Sequence, residues 1–258
     1  MTNKISIVKI GGNIIDDAEA LDSFLADFAN LKQAKVLIHG GGKVANRLNE
    51  KLGIETVMNE GRRITSAENL DTVTMVYAGL INKKIVSKLQ GKECNAMGLS
   101  GSDANCILAT KRPPEPIDFG EVGDVKSVNS STIELFLSNG ITPIFCAISH
   151  DGEGHLLNTN ADTIASEIAI AMSGYYEVEL IYCFEKKGVL EKVEDEGSII
   201  QHIDTSKYEG LKETKKIHAG MLPKLENCFH ALNNKVDKVI IGSANLINGT
   251  ETGTTLTL

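Results

Sequence analysis

A short apolar run that ends in glycines occurs twice within the first 42 residues, and this repetition restricts the fold more than any other feature of the chain. Ile5-Ser6-Ile7-Val8-Lys9-Ile10 precedes Gly11-Gly12, and Lys35-Val36-Leu37-Ile38-His39 precedes Gly40-Gly41-Gly42. Near-continuous apolar runs of this length read as strands buried on both faces. Between them, Leu21, Phe24, Leu25 and Phe28 fall at helical spacing over Asp17 to Leu31, with Asp16 or Asp17 as the cap. A further helix is expected from about Lys43 to Leu52. Such a succession of strand, glycine turn and helix builds a parallel sheet, whose ligands gather outside the carboxyl ends of the strands. There the N–H groups of glycine turns and helix N-termini can hold an anion. Neither turn has dinucleotide or P-loop spacing, and a tight connection without any ligand is the competing reading of a triple glycine.

Later segments continue the alternation. Gly61-Arg62-Arg63-Ile64-Thr65 leads into a long helix opened by Ser66 and Asn69 and running to about Leu89, with Leu70, Val73, Val76, Leu80 and Ile81 along it. That apolar stripe suits core packing and also a subunit interface. Two strands are expected between Gly91 and Lys111, on either side of a loop from Gly98 to Asp103. Gly120 to Asn129 reads as a glycine-bent hairpin, Ser130 as the cap of a helix to Asn139, and Thr142 to Ala147 as a buried strand. His155-Leu156-Leu157 delivers Asn158-Thr159-Asn160-Ala161-Asp162 into a helix from about Ala161 to Ser173. Local sequence makes Asn158 or Asn160 its cap and Asp162 a first-turn charge favoured by the helix dipole.

A strand from Glu177 to Cys183 and a polar helix from Asp204 to Glu213 follow. His218-Ala219-Gly220-Met221-Leu222-Pro223-Lys224 then introduces a helix with proline in its first turn. Val236 to Ile241 reads as a last parallel strand, and a loop at Gly249 to Thr255 precedes a terminal edge strand. The expected fold is α/β, a three-layer αβα sandwich on a central, mostly parallel sheet, in two lobes with no flexible linker between them.

Composition narrows the function classes. The 258 residues hold no apolar run approaching the roughly 20 residues of a membrane span, and Met1-Thr2-Asn3-Lys4 runs directly into the first strand without an export signal, so a cytoplasmic protein is expected. A net charge of -8 argues against general nucleic-acid binding. Five scattered cysteines without a C-x-x-C pair read as buried reduced thiols, against both a disulfide framework and a zinc cluster, and the six histidines lack metal-ligand spacing.

Eight stretches stand in a recognisable order: Lys9-Ile10-Gly11-Gly12, His39-Gly40-Gly41-Gly42, Gly61-Arg62-Arg63-Ile64-Thr65, Ala78-Gly79-Leu80-Ile81-Asn82-Lys83, Gly98-Leu99-Ser100-Gly101, Gly120 to Asn129, Asn158 to Asp162, and Gly220-Met221-Leu222-Pro223-Lys224. Together they resemble the amino acid kinase family over nearly the whole chain. Within it they are most similar to the members whose acceptor is an N-acyl-L-glutamate. The resemblance implies ATP-dependent phosphorylation of that acceptor's side-chain carboxylate, N-acetyl or N-succinyl, to the acyl 5-phosphate in arginine biosynthesis. It further implies that residues 1–172 form the lobe binding the acylated amino acid and residues 173–258 the lobe binding ATP.

By the same resemblance, Lys9 and Lys224 flank the transferring phosphoryl and Asp162 holds both lysines. Gly11 and Gly12 would meet the phosphoryl group, and Gly41 and Gly42 the acceptor carboxylate. Arg63 would grip the α-carboxylate, and Asn158 the amide of the acceptor. Lys9, Lys224, Glu185 and Gly188 would lie along the nucleotide. Magnesium would be held chiefly by ATP oxygens and water, as this reluctantly dehydrated ion prefers, so no protein metal ligand is expected. The chemistry suits these residues. A carboxylate with an ordinary pKa of about 4.3 is already ionised at neutral pH, so alignment and charge neutralisation are required rather than a general base. Two departures stand out. Glu185-Lys186-Lys187-Gly188 occupies the place of the family's common Asp-Val-x-Gly turn, and the first strand begins within a few residues of Met1. The second leads to the expectation of a homodimer without arginine feedback. The alternatives are a family member with a carbamate, aspartate or nucleotide acceptor, or a non-catalytic sensor on the same fold.

Overall fold

The computed structural model describes residues 3–59, 61–192, 194–213 and 221–258. His218, Ala219 and Gly220 of the expected late helix start lie outside the described residues.

In chain order, β1 (Lys4–Ile10), α1 (Gly12–Asp16), α2 (Ala18–Asn30), β2 (Ala34–His39) and α3 (Gly42–Leu52) realise the repeated pattern of the first 52 residues. A short pair, β3 (Val57–Asn59) and β4 (Arg62–Ile64), leads into α4 (Ala67–Thr74), a π-helical stretch Met75–Ile81, and α5 (Asn82–Gln90). Next come β5 (Ala96–Leu99), β6 (Ile107–Lys111), β7 (Gly123–Val128), α6 (Ser130–Ser138) and β8 (Thr142–Cys146). β9 (Ile148–His150), β10 (Leu156–Asn158), α7 (Ala161–Met172) and β11 (Glu177–Cys183) follow. The chain closes with β12 (His202–Ile203), α8 (Thr205–Glu213), α9 (Leu222–Asn233), β13 (Lys238–Gly242) and β14 (Thr254–Leu256).

Among the described residues the main sheet has the order β12-β14-β13-β11-β1-β2-β8-β5. β1 lies at its centre and pairs in parallel with β11 on one side and β2 on the other. Ile5 to Ile10 are buried at consecutive positions, so both faces of this strand are covered by protein. α7 packs on β1, β2 and β11 and against α9, while α2 packs on α5, which lies over β5 and β8. Right-handed crossovers explain the division. The chain steps from β1 to β2 in one direction along the sheet and from β11 to β13 in the other, so α2 and α9 fall on opposite faces. The result is the expected three-layer α/β arrangement.

Several local expectations hold for the stated chemical reason. Asp17 accepts from the N–H groups of Glu19 and Ala20 at the head of α2, Ser66 caps α4, and Asn160 caps α7 through the N–H groups of Asp162 and Thr163. Other details differ. Asn129 rather than Ser130 caps α6. The segment Gly120–Asn129 is not a self-contained hairpin, because β7 pairs with the distant β6 while Gly120 and Val122 bridge to Thr65 and Asn158. The last strand is not an edge: β14 inserts between β12 and β13, antiparallel to the latter. The helix expected from Ser66 to Leu89 is continuous but carries the π-helical turns in its middle. All five cysteines are buried free thiols. Among the described residues no helix is long and apolar enough to cross a membrane.

Candidate active site

The carboxyl ends of β1, β2 and β11 meet the heads of α1, α3, α7 and α9, and Lys9, Asp162 and Lys224 come together there. Lys9, the penultimate residue of β1, extends its ammonium group 2.7 Å from Asp162 Oδ1. Lys224, in the first turn of α9, places its own ammonium 3.1 Å from Asp162 Oδ2. One carboxylate at the head of α7 therefore spaces two cations drawn from elements 62 residues and more away in sequence. Lys9 and Asp162 are almost wholly enclosed, whereas the Lys224 side chain remains 29% exposed and can reach a ligand.

The electrostatics follow from that enclosure. Burial acts on Asp162 to raise its pKa, but the Lys9 and Lys224 ammonium groups outweigh it and hold the carboxyl below its usual range. Burial pulls Lys9 below the ordinary lysine value, with Asp162 opposing and the Lys224 charge assisting. By formal charge the trio is singly positive, and its enclosure strengthens its action on an incoming anion. Phe184, just beyond β11, presents its ring to both lysines, with the ammonium groups 3.9 Å (Lys224) and 4.8 Å (Lys9) from its centroid. The ring stacks on Tyr182 at 6.0 Å, and the Tyr182 hydroxyl donates to the Asp162 carbonyl. Phe184 thus adds cation–π attraction to the two ion pairs.

A cavity of about 470 Å³ opens above the trio. Lys9, Gly11, Gly12, Gly42, Glu185, Gly188 and Lys224 all line it, as do Asn13, Lys43 and Phe184. Its size is that of a small-molecule site. The glycines contribute unequally. Gly11 donates its N–H to the Cys183 carbonyl at 3.0 Å, so that group is already engaged by the protein. α1 and α3 begin at Gly12 and Gly42 without a side-chain cap, leaving the first-turn N–H groups of both helices to a ligand or solvent. Gly188 is needed for packing: a Cβ there would stand 2.7 Å from both Ile199 Cγ2 and Thr254 Oγ1, against the strand β14 whose Thr254 Oγ1 accepts from the Val189 N–H.

Gly41, Arg63 and Asn158 lie outside the lining of this cavity. Arg63, buried on β4, donates through Nη2 to the Gly42 carbonyl at 3.3 Å and to Asn46 Oδ1, and through Nη1 to Thr56 Oγ1 at 3.4 Å. Gly42 thus joins the two groups of residues. Asn158 donates to Thr65 Oγ1 at 3.0 Å, and its N–H donates to Glu121 O. Beneath the turn, Asn82 donates to His39 Nε2 at 3.1 Å and to Ile144 O at 2.9 Å. His39 Nε2 is therefore an acceptor, and Nδ1 carries the proton that it donates to Gly40 O at 2.8 Å. Burial lowers the His39 pKa to about 4, so this histidine is neutral and serves the turn as a fixed polar strut.

Sequence reasoning missed Phe184, Asn13 and Lys43. Phe184 adjoins the strand end whose partner β1 supplies Lys9, but nothing in a lone aromatic residue announces that two lysines lie over its ring. Among the described residues no group of three or more His, Cys, Asp or Glu side chains is arranged to hold a metal ion.

Comparison with known proteins gives a consistent picture. The family model described as "Amino acid kinase family" matches residues 4–243. The acetylglutamate kinase of Cytophaga hutchinsonii is 57% identical over 242 residues, covering 93% of this chain and 92% of that protein. The acetylglutamate kinase of Bacteroides fragilis is 46% identical over 254 residues, 98% and 97% of the two chains. Among solved structures, smu.665 from Streptococcus mutans UA159 superposes with a TM-score of 0.83 at 29% identity, over 100% and 99% of the two chains. A carbamate kinase from Giardia lamblia shares the fold at a TM-score of 0.72 and 13% identity, over 99% and 98%. The chain belongs to the amino acid kinase family.

Proposed function

We propose that the protein transfers the γ-phosphoryl group of ATP to the side-chain carboxylate of N-acetyl-L-glutamate, giving the acyl 5-phosphate and ADP, as a step of arginine biosynthesis. The observation that carries this reading is the pairing of both Lys9 and Lys224 with Asp162 under an open cavity, since a protein that only binds has no use for two cations spaced across a transfer path. The curated relatives of 57% and 46% identity, named acetylglutamate kinases, supply the acceptor class.

In this reading the nucleotide lies in the cavity bordered by Glu185, Gly188 and Lys224, and the acceptor lies toward Gly41, Gly42, Arg63 and Asn158. Residues 1–172 then form the acceptor lobe and residues 173–258 the nucleotide lobe, with the sheet continuous between them through β1 and β11. A carboxylate oxygen attacks the γ-phosphorus as the bond to the β–γ bridging oxygen breaks, and that oxygen leaves on ADP. No proton moves at the nucleophile. Lys9 and Lys224 offset the charge spread over the transferring group's oxygens, and Asp162 keeps them apart and aimed. The first-turn N–H groups of α1 and α3 direct the two anions toward each other. Arg63 presents a planar fork to the α-carboxylate, and the Asn158 side chain meets the acyl amide. Magnesium, if bound with the nucleotide, would supply further charge neutralisation.

The same reading makes the enzyme a cytoplasmic homodimer, and Met75 and Leu80, 56% and 47% exposed on the long helix, offer an apolar contact. Light scattering on the purified protein would return the dimer mass, and a monomer at micromolar concentration would contradict it. The decisive assay couples ADP release to the identity of the acceptor, with N-acetyl-L-glutamate, N-succinyl-L-glutamate, carbamate and aspartate compared. Turnover is expected with an N-acylglutamate, the acetyl form first. Turnover confined to carbamate or aspartate, or none with any acceptor at millimolar concentration, would overturn the reading.

A further inference from the structure

Four lysines line the cavity, and their partners differ. Lys9 and Lys224 share Asp162, and Lys186 is ion-paired with Glu196 at 2.5 Å. Lys43 alone among these four is held by a neutral group, the Asn13 side-chain oxygen. It is the second residue of α3, so its ammonium stands near the positive end of that helix, whose first turn contains no acidic residue. A cation there is disfavoured by the helix dipole unless an anion comes to lie beside it. The contact with Asn13 also fixes where the ammonium sits. It spans from α3 to α1 at the cavity whose lining also includes Gly12 and Gly42.

We propose that Lys43 is a third cation on the transferring phosphoryl group, leaving Asn13 to contact the γ-phosphate once ATP is bound. The inference deepens the kinase reading and rests on it for the place of the nucleotide. The side chain is exposed and its stem flexible, so a change of partner requires only rotation about side-chain bonds. Counting Lys9, Lys43 and Lys224 against Asp162 leaves two net positive charges around the γ-phosphoryl. That is a better match to a triphosphate terminus than the single charge of the Lys9–Asp162–Lys224 trio.

The test compares Lys43→Ala and Lys43→Arg with wild type by calorimetric titration of ADP and of a non-hydrolysable ATP analogue, each with magnesium, alongside steady-state turnover. A charge-assisted hydrogen bond to the γ-phosphate predicts that Lys43→Ala binds the analogue about tenfold more weakly, with ADP affinity unchanged. Its kcat should fall by at least as much, and Lys43→Arg should recover most of both losses. A lysine that only supports the fold cannot tell ATP from ADP. Equal weakening of both nucleotides, or of neither, overturns the assignment. If the wild type binds the analogue but phosphorylates no N-acylglutamate, the proposed reaction fails, while the difference between analogue and ADP still decides the role of Lys43.

Discussion

The two glycine turns at the heads of α1 and α3 arise from the same sequence pattern yet solve different problems. At the first, a Cβ on Gly12 would meet nothing within 4 Å, and one on Gly11 would come only to 3.4 Å of the Cys183 carbonyl. The space above it belongs to the cavity. At the second, Gly41 has φ +154°, and a Cβ there would lie 2.2 Å from Ile81 Cδ1 and 3.1 Å from Tyr77 Cδ1. The protein itself fills that space, through side chains of the π-helical stretch Met75–Ile81. Glycine in the first turn therefore leaves room for a ligand, whereas glycine in the second lets the backbone pass under a helix. The second turn is further held by the side chains of His39 and Asn82, whereas the first is tied to β11 by the Gly11 N–H. An open turn beside a braced one suits a reaction in which the nucleotide enters and leaves while the acceptor must be held at a set distance and angle.

The largest effect is expected on the open side. Lys224→Ala should reduce kcat by roughly a hundredfold or more while KM moves little, because the lost charge acts mainly on the transition state. Steady-state kinetics in both substrates would check it, and a raised KM with unchanged kcat would refute the role. Exchange of the glycines separates the turns directly. Gly41→Ala should cost about 3 kcal/mol of stability through overpacking and backbone strain, read in urea unfolding. Gly12→Ala should cost less than about 1 kcal/mol, because its methyl group enters open space, yet reduce kcat/KM by roughly tenfold as the methyl narrows the phosphoryl path. Equal stability losses in the two variants would abolish the distinction.

The brace beneath the second turn has a pH signature. His39 titrates at about 4 when folded and near 6.5 when unfolded, so the unfolded chain takes up its proton first as the solution is acidified. Stability tied to His39 is thus fully present above about pH 6.5 and is lost as the pH falls toward 4, by up to roughly 3 kcal/mol. Unfolding midpoints for wild type and His39→Gln between pH 7 and pH 4 should converge on acidification, and parallel curves would count against the strut. A smaller effect is expected at Arg63. Arg63→Lys should raise the acceptor's KM by about tenfold with kcat nearly intact, since lysine cannot reproduce the planar fork. An unchanged KM would remove Arg63 from acceptor binding.

Local chemistry made much of this legible in sequence. Asp17, Ser66 and Asn160 cap helices because their short side chains reach first-turn N–H groups, and that requires knowledge of only three neighbouring residues. The buried strand pattern of Ile5 to Ile10 announced a strand covered on both faces. What escaped depends on residues far apart in the chain. The pairing of β7 with β6 rather than within Gly120–Asn129, and the insertion of β14 inside the sheet, are settled by packing that no window of ten residues contains. Asn129 displaces Ser130 as the cap of α6 because the backbone enters the helix one residue earlier than the serine suggested. The π-helical turns are invisible in periodicity, yet they bring Tyr77 and Ile81 under Gly41 and Asn82 against His39. In the active site, Lys9, Asp162 and Lys224 were identified through family resemblance, and their distances depend on three separate elements converging. Phe184 and Lys43 gave no local signal, since their partners come from elsewhere in the fold.

The central claim is that the Lys9–Asp162–Lys224 trio carries phosphoryl transfer to a carboxylate, and trapping the product tests it most directly. Incubation of the purified protein with ATP, magnesium, N-acetyl-L-glutamate and hydroxylamine should yield the acyl hydroxamate in step with ADP, one for one, because only an acyl phosphate reacts with hydroxylamine in this way. Release of ADP without hydroxamate would mean that water, not the carboxylate, receives the phosphoryl group, and would contradict the account.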